Sequence, residues 1–284
     1  MKIATFTQGK RTRIGVVEGD KIADVTAAAD LPQDMLSLLR QGADGMKRVA
    51  AALDKAPRLA LKDVRLEAPI LNPPKFLAIG LNYENHVKEV GAKRPDFPSC
   101  FAKLSNAING PYDPVQRPRV SEALDYEVEL GVVIGKRGRH ISQADAPAHV
   151  AGYCVINDVS VRDWQKMTSQ VVLAKNFDTH APFGPWITTA DEVGDPHKLR
   201  IGTLVNGERR QDSNTSDMIF NCYHLIEIVS RAMTLEAGDV ISTGTPEGVA
   251  LGMKTPIWMK VGDVVRCEIE KLGFIENRIV EEPR

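Results

Sequence analysis

Two periodicities divide the chain. Alternating or unbroken apolar runs, the signature of strands, recur from end to end, while the 3.6-residue spacing of a helix shows in only a few places. Near the N-terminus, apolar runs at 14–17 and 22–25 flank the turn signal Gly19-Asp20, which predicts a small β-meander over residues 1–26. Met35, Leu36, Leu38 and Leu39, then Met46, Val49, Ala50 and Leu53, predict two short helices within 33–55, broken at Gly42. Pro69, Pro73 and Pro74 crowd the next stretch, which can continue neither a helix nor a central strand. A domain boundary is expected there, with a small α+β domain over 1–68 and a large domain over 69–284.

In the large domain, 76–80 is a short apolar strand, and 83–90 fits about two helical turns. That helix would put His86 and Glu89 on one face at i, i+3. Residues 91–113, with Pro95, Pro98 and Pro111, predict a long loop of the kind that carries function. Strands follow at 124–134 and 150–156, the second ending at Asn157-Asp158. Residues 159–167 predict one helix with Arg162 and Gln165 three apart. The runs 201–205 and 208–211 around Asn206-Gly207 predict a hairpin. Ile219, Tyr223, Ile226, Val229 and Met233 stripe a helix over 216–234, and Gly238 follows its end. Late strands are expected at 240–242 and around Val265, Cys267 and Ile269. With no regular strand–helix alternation, the expected class is a mixed, β-dominated α+β fold rather than a Rossmann fold or a TIM barrel.

Composition narrows the function classes. The chain of 284 residues is 43% hydrophobic and 26% charged, ordinary values for a soluble protein. Its formal net charge of −1 gives no case for a nucleic-acid or membrane-surface partner. No apolar run approaches the roughly 20 residues of a spanning helix. The N-terminus lacks the apolar core of a signal peptide, so a cytoplasmic protein is expected. Cys100, Cys154, Cys222 and Cys267 show no zinc or redox spacing and are expected to be buried thiols.

Against that background the run Leu-Asp-Tyr-Glu-Val-Glu-Leu-Gly-Val-Val-Ile at 124–134 stands out. Glu127 and Glu129 interrupt an apolar strand two residues apart, on one face, with Cα atoms roughly 6.6 Å apart. Either this strand end reaches water or a divalent cation sits between the carboxylates. Asp158, at the end of another apolar strand, is the candidate third ligand, and otherwise a turn cap. Three carboxylates without His or Cys favour Mg²⁺ or Mn²⁺, with Ca²⁺ also accommodated. His86 paired with Glu89 is the candidate general base, against a plain surface pair. Lys175, in an apolar neighbourhood, is either a solvent-facing lysine or a stabiliser of developing negative charge. The loop Thr243-Gly-Thr-Pro-Glu-Gly lacks a phosphate-loop pattern but offers backbone N–H groups and the Thr245 hydroxyl to a carboxylate.

Five segments, in order, resemble the fumarylacetoacetate hydrolase family over about residues 75–280. They are Gly80-Leu-Asn-Tyr-Glu-Asn-His-Val-Lys-Glu; Asp125-Tyr-Glu-Val-Glu-Leu-Gly-Val-Val-Ile-Gly; Gly152-Tyr-Cys-Val-Ile-Asn-Asp-Val-Ser-Val-Arg-Asp; Ala174-Lys-Asn-Phe-Asp; and Gly238-Asp-Val-Ile-Ser-Thr-Gly-Thr-Pro-Glu-Gly-Val. The resemblance implies a mixed β-sandwich roll, a homodimer and a Mg²⁺ or Mn²⁺ site on Glu127, Glu129 and Asp158. It also implies His86, Glu89 and Lys175 as catalytic residues and Arg162, Gln165 and Thr245 as substrate contacts. Two departures matter: similar sequences often read Phe-x-Lys-Pro where this chain has Phe101-Ala-Lys103-Leu104, and the segment between Gln165 and Lys175, substrate-facing in similar sequences, is too variable to carry the resemblance. The expected activity is metal-dependent hydrolysis of a carbon–carbon bond in a small 2,4-dioxo acid of the acylpyruvate or fumarylpyruvate type. The alternatives are a decarboxylase, isomerase or ureidoglycolate-type lyase acting through an enolate, and, of a different class, a non-catalytic binder of a metal and a 2-oxo acid.

Overall fold

The computed structural model describes residues 1–284. Its apolar runs pair into two mixed sheets and a two-stranded ribbon of Leu124–Asp125 with Ser160–Val161. The larger runs in the order Arg58–Ala60, Lys21–Asp24, Arg11–Glu18, Lys2–Gln8, Ala181–Thr189, Val150–Asn157, Val128–Ile134, Val240–Ser242, Phe76–Gly80 and Ser99–Ala102. The smaller runs Glu208–Asn214, Arg200–Val205, Val264–Ile269, Gly273–Glu281 and Val115–Arg117. Most pairs are antiparallel, but Val240–Ser242 lies parallel to Phe76–Gly80, and Gly273–Glu281 parallel to Val115–Arg117. The β-dominated mixed class expected from the sequence is the class observed.

The sheets share one apolar cluster that takes Leu130, Val132 and Ile134 from the large sheet and Ile201, Val265 and Ile275 from the small one. Val133 points to the opposite cluster, where it meets Cys154 and Ile156 and, beyond them, Leu38 and Val49 of the N-terminal helices. Burial on both faces explains why Val128–Ile134 carries no polar side chain except Glu129. Residues 1–68 join the large sheet where Lys2 pairs with Thr188 and Ile3 with Ile187.

Four elements depart from expectation. The strand expected over 124–134 is interrupted at Tyr126-Glu127, because the Glu127 N–H turns to the Asn157 side chain instead of a ladder carbonyl. The expected loop 91–113 contains the edge strand Ser99–Ala102, whose half-exposed residues carry no apolar alternation. The helix expected over 159–167 shrinks to Arg162–Gln165, since residues 160–161 pair with Leu124–Asp125. The helix expected over 216–234 is Cys222–Ala232. Asn221 caps it by accepting from the Tyr223 and His224 N–H groups. Cys100, expected to be buried, is exposed on the edge strand, whereas Cys154, Cys222 and Cys267 are buried.

Candidate active site

The large sheet brings the two glutamates and the aspartate together because their backbones are tied to one another. Asn157 accepts from the Glu127 N–H at 2.9 Å, and the Asp158 N–H donates to the Glu127 carbonyl at 2.9 Å. One carboxylate oxygen from each of Glu127, Glu129 and Asp158 falls within 4.8 Å of the others, and all three residues are buried.

Cations surround two of the three. Arg162 donates through Nε to Asp125 at 2.8 Å and places Nη2 2.6 Å from Glu127. Lys175 Nζ bridges Glu127 and Asp158, at 2.7 Å from the latter. Lys103 Nζ donates to the other Asp158 oxygen at 2.6 Å and to the His180 and Lys175 carbonyls. Burial alone would raise the Glu127 pKa, but Arg162 and Lys175 outweigh it and hold the group at about 2. Burial lowers Lys175, yet Asp158 and Glu127 reverse that and keep it protonated. Lys103 is lowered by burial, with Asp158 opposing.

Glu129 has a different environment. Its Oε2 accepts from Ser242 Oγ at 2.6 Å and from the Gly244 N–H at 2.8 Å, neither of them a charge. Gly244 adopts φ +95°, and a Cβ there would press on Asn82, so the loop offers this N–H only as glycine. Burial raises the Glu129 pKa well above normal, and the charges of Asp158 and Glu127 push it further. An all-oxygen donor set with surplus buried negative charge fits a hard divalent cation, so the residues present match the Mg²⁺ or Mn²⁺ expectation.

The triad forms one wall of a cavity of about 190 Å³. His86, Arg162, Gln165, Lys175 and Thr245 line it too, so the structure gathers every site residue expected from the sequence except Glu89 along this cavity. Glu89 stands directly behind His86, its Oε2 3.1 Å from Nδ1. Its other oxygen accepts from the Gly248 N–H at 2.8 Å. A proton on Nδ1 directed at this carboxylate leaves Nε2 as the basic nitrogen. A Cβ at Gly252 would overlap the Glu89 carboxyl, so that glycine makes room for the pair. Gln165 Oε1 accepts from Arg162 Nη1 at 2.9 Å, which leaves its amide N–H groups free. The Thr245 hydroxyl is already committed, donating to the Val128 carbonyl and accepting from Gln211, each at 2.9 Å.

Lys103 and Asp125 escaped functional reading of the sequence. Lys103 was visible only as the matching lysine of a tetrapeptide that departs from the family at Leu104. Asp125 was visible only as part of a motif, yet it also accepts from the Ala250 and Leu251 N–H groups at 2.9 and 3.0 Å. A lysine beside an edge strand carries no periodic signal of burial. Its contacts, 55 to 77 residues away along the chain, exist only once the strands are assembled.

A carboxylate triad and an oriented imidazole lining one small cavity form the centre of an enzyme, built here on a mixed β-roll. The chain belongs to the fumarylacetoacetate hydrolase family: residues 75–280 match the model described as "Fumarylacetoacetate (FAA) hydrolase C-terminal". It is 46% identical over 253 residues to "Oxaloacetate tautomerase FAHD2A, mitochondrial" of Homo sapiens, covering 88% of this chain and 81% of that protein. Among solved structures it is similar to maleylpyruvate hydrolase from Sphingobium sp. SYK-6 in complex with manganese(II) and pyruvate. That match has TM-score 0.85, 35% identity and full coverage of both chains. It is also similar to 2-hydroxyhepta-2,4-diene-1,7-dioate isomerase from Mycobacterium marinum, with TM-score 0.80, 30% identity and full coverage of both chains.

Proposed function

We propose that the protein interconverts the keto and enol forms of a small 2-oxo dicarboxylic acid of the oxaloacetate type. The observation that carries this reading is the His86–Glu89 pair beside the carboxylate triad, in a chain 46% identical to proteins named oxaloacetate tautomerase. Tautomerisation moves a proton between C3 and the C2 oxygen and consumes no water, so one oriented base and one site for negative charge suffice. A divalent cation on Glu127, Glu129 and Asp158 would supply Lewis acidity toward the oxygens of a 2-oxo acid.

In this reading His86 Nε2 takes a proton from C3 of the keto form and passes it to the C2 oxygen to give the enol, and carries it from the oxygen back to C3 in the reverse direction. Glu89 fixes the imidazole tautomer and stabilises its protonated state. The Lys175 ammonium has three N–H groups, two of them spent on Glu127 and Asp158, so one remains for charge developing on the substrate. The free amide N–H groups of Gln165 suit a carboxylate oxygen. Arg162 stays locked between Asp125 and Glu127 and holds Gln165 in place.

A second reading, hydrolysis of an acylpyruvate-type carbon–carbon bond, draws support from the apolar side of the same cavity. Ile79, Val90, Phe101, Val171 and Leu251 would suit an acyl chain, and His86 would deprotonate a water instead of C3. The two separate in one experiment with purified protein and Mn²⁺. Enol oxaloacetate is followed by loss of its ultraviolet absorbance and by deuterium uptake at C3 in D₂O. Acylpyruvates are followed by pyruvate release. Accelerated ketonisation without pyruvate release from acylpyruvates supports the tautomerase. Pyruvate release without acceleration of ketonisation replaces it with the hydrolase, and silence in both assays removes both.

A further inference from the structure

The ladder that should hold the two glutamates in line is incomplete. Val240–Ser242 pairs with the ligand strand only at residues 131–133, and the Thr243 N–H adds one bond to the Leu130 carbonyl. Glu127 is secured from the other side by Asn157 and Asp158. Val128, between the two glutamates, therefore faces a gap where a strand would be, with both an N–H and a C=O to satisfy.

Gln211 fills that gap. Its Oε1 accepts from the Val128 N–H at 3.0 Å and from Thr203 Oγ1 at 2.8 Å. Its Nε2 donates to Thr245 Oγ1 and to the Pro246 carbonyl, both at 2.9 Å. Thr245 Oγ1 then donates to the Val128 carbonyl at 2.9 Å, closing the ring. Gln211 is fully buried, and all four hydrogen-bonding positions of its amide are used. It comes from the other sheet, and a register shift in its hairpin, with Thr203 opposite Gln211 but Leu204 opposite Arg209, marks a bulge beside it. Bulges of this kind re-aim a side chain out of the ladder.

We infer that Gln211 is a positioning residue that sets the Glu127-Val128-Glu129 backbone for cation binding, standing in for the absent strand. The inference rests on the reading that these glutamates hold a divalent cation. Mn²⁺ affinity, measured by calorimetry on the purified full chain, tests it together with thermal unfolding. Gln211→Met is nearly isosteric and is expected to weaken Mn²⁺ binding about 10- to 100-fold, the range for lost support of metal ligands. Thr203→Val removes one of the two hydrogen bonds that the glutamine Oε1 accepts and leaves the other, from the Val128 N–H, in place. It is expected to lower Tm while leaving the Mn²⁺ Kd within about twofold. Wild-type Mn²⁺ affinity in Gln211→Met, or an equal loss in Thr203→Val, overturns the inference. Should Gln211→Met fail to fold, Gln211→Glu takes its place, since it keeps the acceptor for Val128 but lacks the donors to Thr245 and Pro246. An unchanged Kd in that variant is equally fatal, and a weakened one supports the role. No Mn²⁺ binding by the wild type would instead remove the metal reading itself.

Discussion

The two walls of the cavity are built to different standards of rigidity. The carboxylate wall lies in the middle of the large sheet, and each acid is fixed by partners that are themselves buried: Ser242, Gly244, Lys103, Lys175 and Arg162. The imidazole wall is a helix of six residues, Glu84–Glu89. Its N-cap residue, Tyr83, makes no capping bond, its first turn is held from outside by Asp217 Oδ2 accepting from the Asn85 N–H at 3.0 Å, and its functional acid is held by a single backbone N–H from Gly248. Concentrated charge demands the first arrangement, since a buried carboxylate without partners is expensive. Proton transfer tolerates the second, because an imidazole is neutral in one of its working states. The contrast teaches that substitutions on one wall should cost metal and stability, and those on the other should cost rate alone.

The strongest challenge to that division is Glu129→Ala. It should abolish Mn²⁺ binding and lower activity by about a thousandfold or more. Saturating Mn²⁺ should raise the Tm of the wild type but not of this variant. Retained activity under saturating Mn²⁺ would show that the triad is not the metal end. His86→Asn is expected to lower kcat by about a hundredfold to a thousandfold while Mn²⁺ affinity stays at the wild-type value. A fall in affinity here would mean that the walls are not separable.

Gly252→Ala should act on the imidazole wall from outside, pushing Glu89 off His86 and lowering kcat by about tenfold. Calorimetry should again find metal binding intact. A further effect lies beneath the carboxylate wall and concerns stability against pH rather than rate. Burial depresses His180 to about 3, with the Gln116 carbonyl opposing and Lys103 adding to the effect. Between about 3 and 6.5 the unfolded chain therefore binds a proton that the folded chain refuses. The contribution is fully present above pH 6.5 and is lost as pH falls, at up to about 1.4 kcal/mol per pH unit. His180→Gln should flatten this acid limb in unfolding experiments run from pH 7 to pH 4. An unchanged slope would place the acid sensitivity elsewhere.

Much of the scaffold was legible because its signals are local. The alternation of Val265, Cys267 and Ile269, the Asn206-Gly207 hairpin and the break at Gly42 each depend on neighbours in sequence. The carboxylate triad was legible for the opposite reason. Two acids in an apolar strand violate a local rule, and such violations concentrate at functional sites. What escaped were residues with unremarkable neighbours and distant partners. Lys103 and Gln211 read as ordinary polar positions beside a strand and in a hairpin, and only three-dimensional assembly buries them. The interruption at Tyr126-Glu127 was hidden as well, since it depends on the Asn157 side chain, 30 residues further on.

The loop 243–252 touches almost everything that matters in this cavity. Gly244 holds Glu129, Thr245 holds the strand beside it, Gly248 holds Glu89, and the N–H groups of Ala250 and Leu251 hold Asp125. It behaves as a workshop jig, clamping two separately made parts at a set spacing. Inserting or deleting one residue there would throw both walls out of alignment at once. The exposed stretch 166–170 has no such fastening to either wall, so a change of length there would leave the jig as it is.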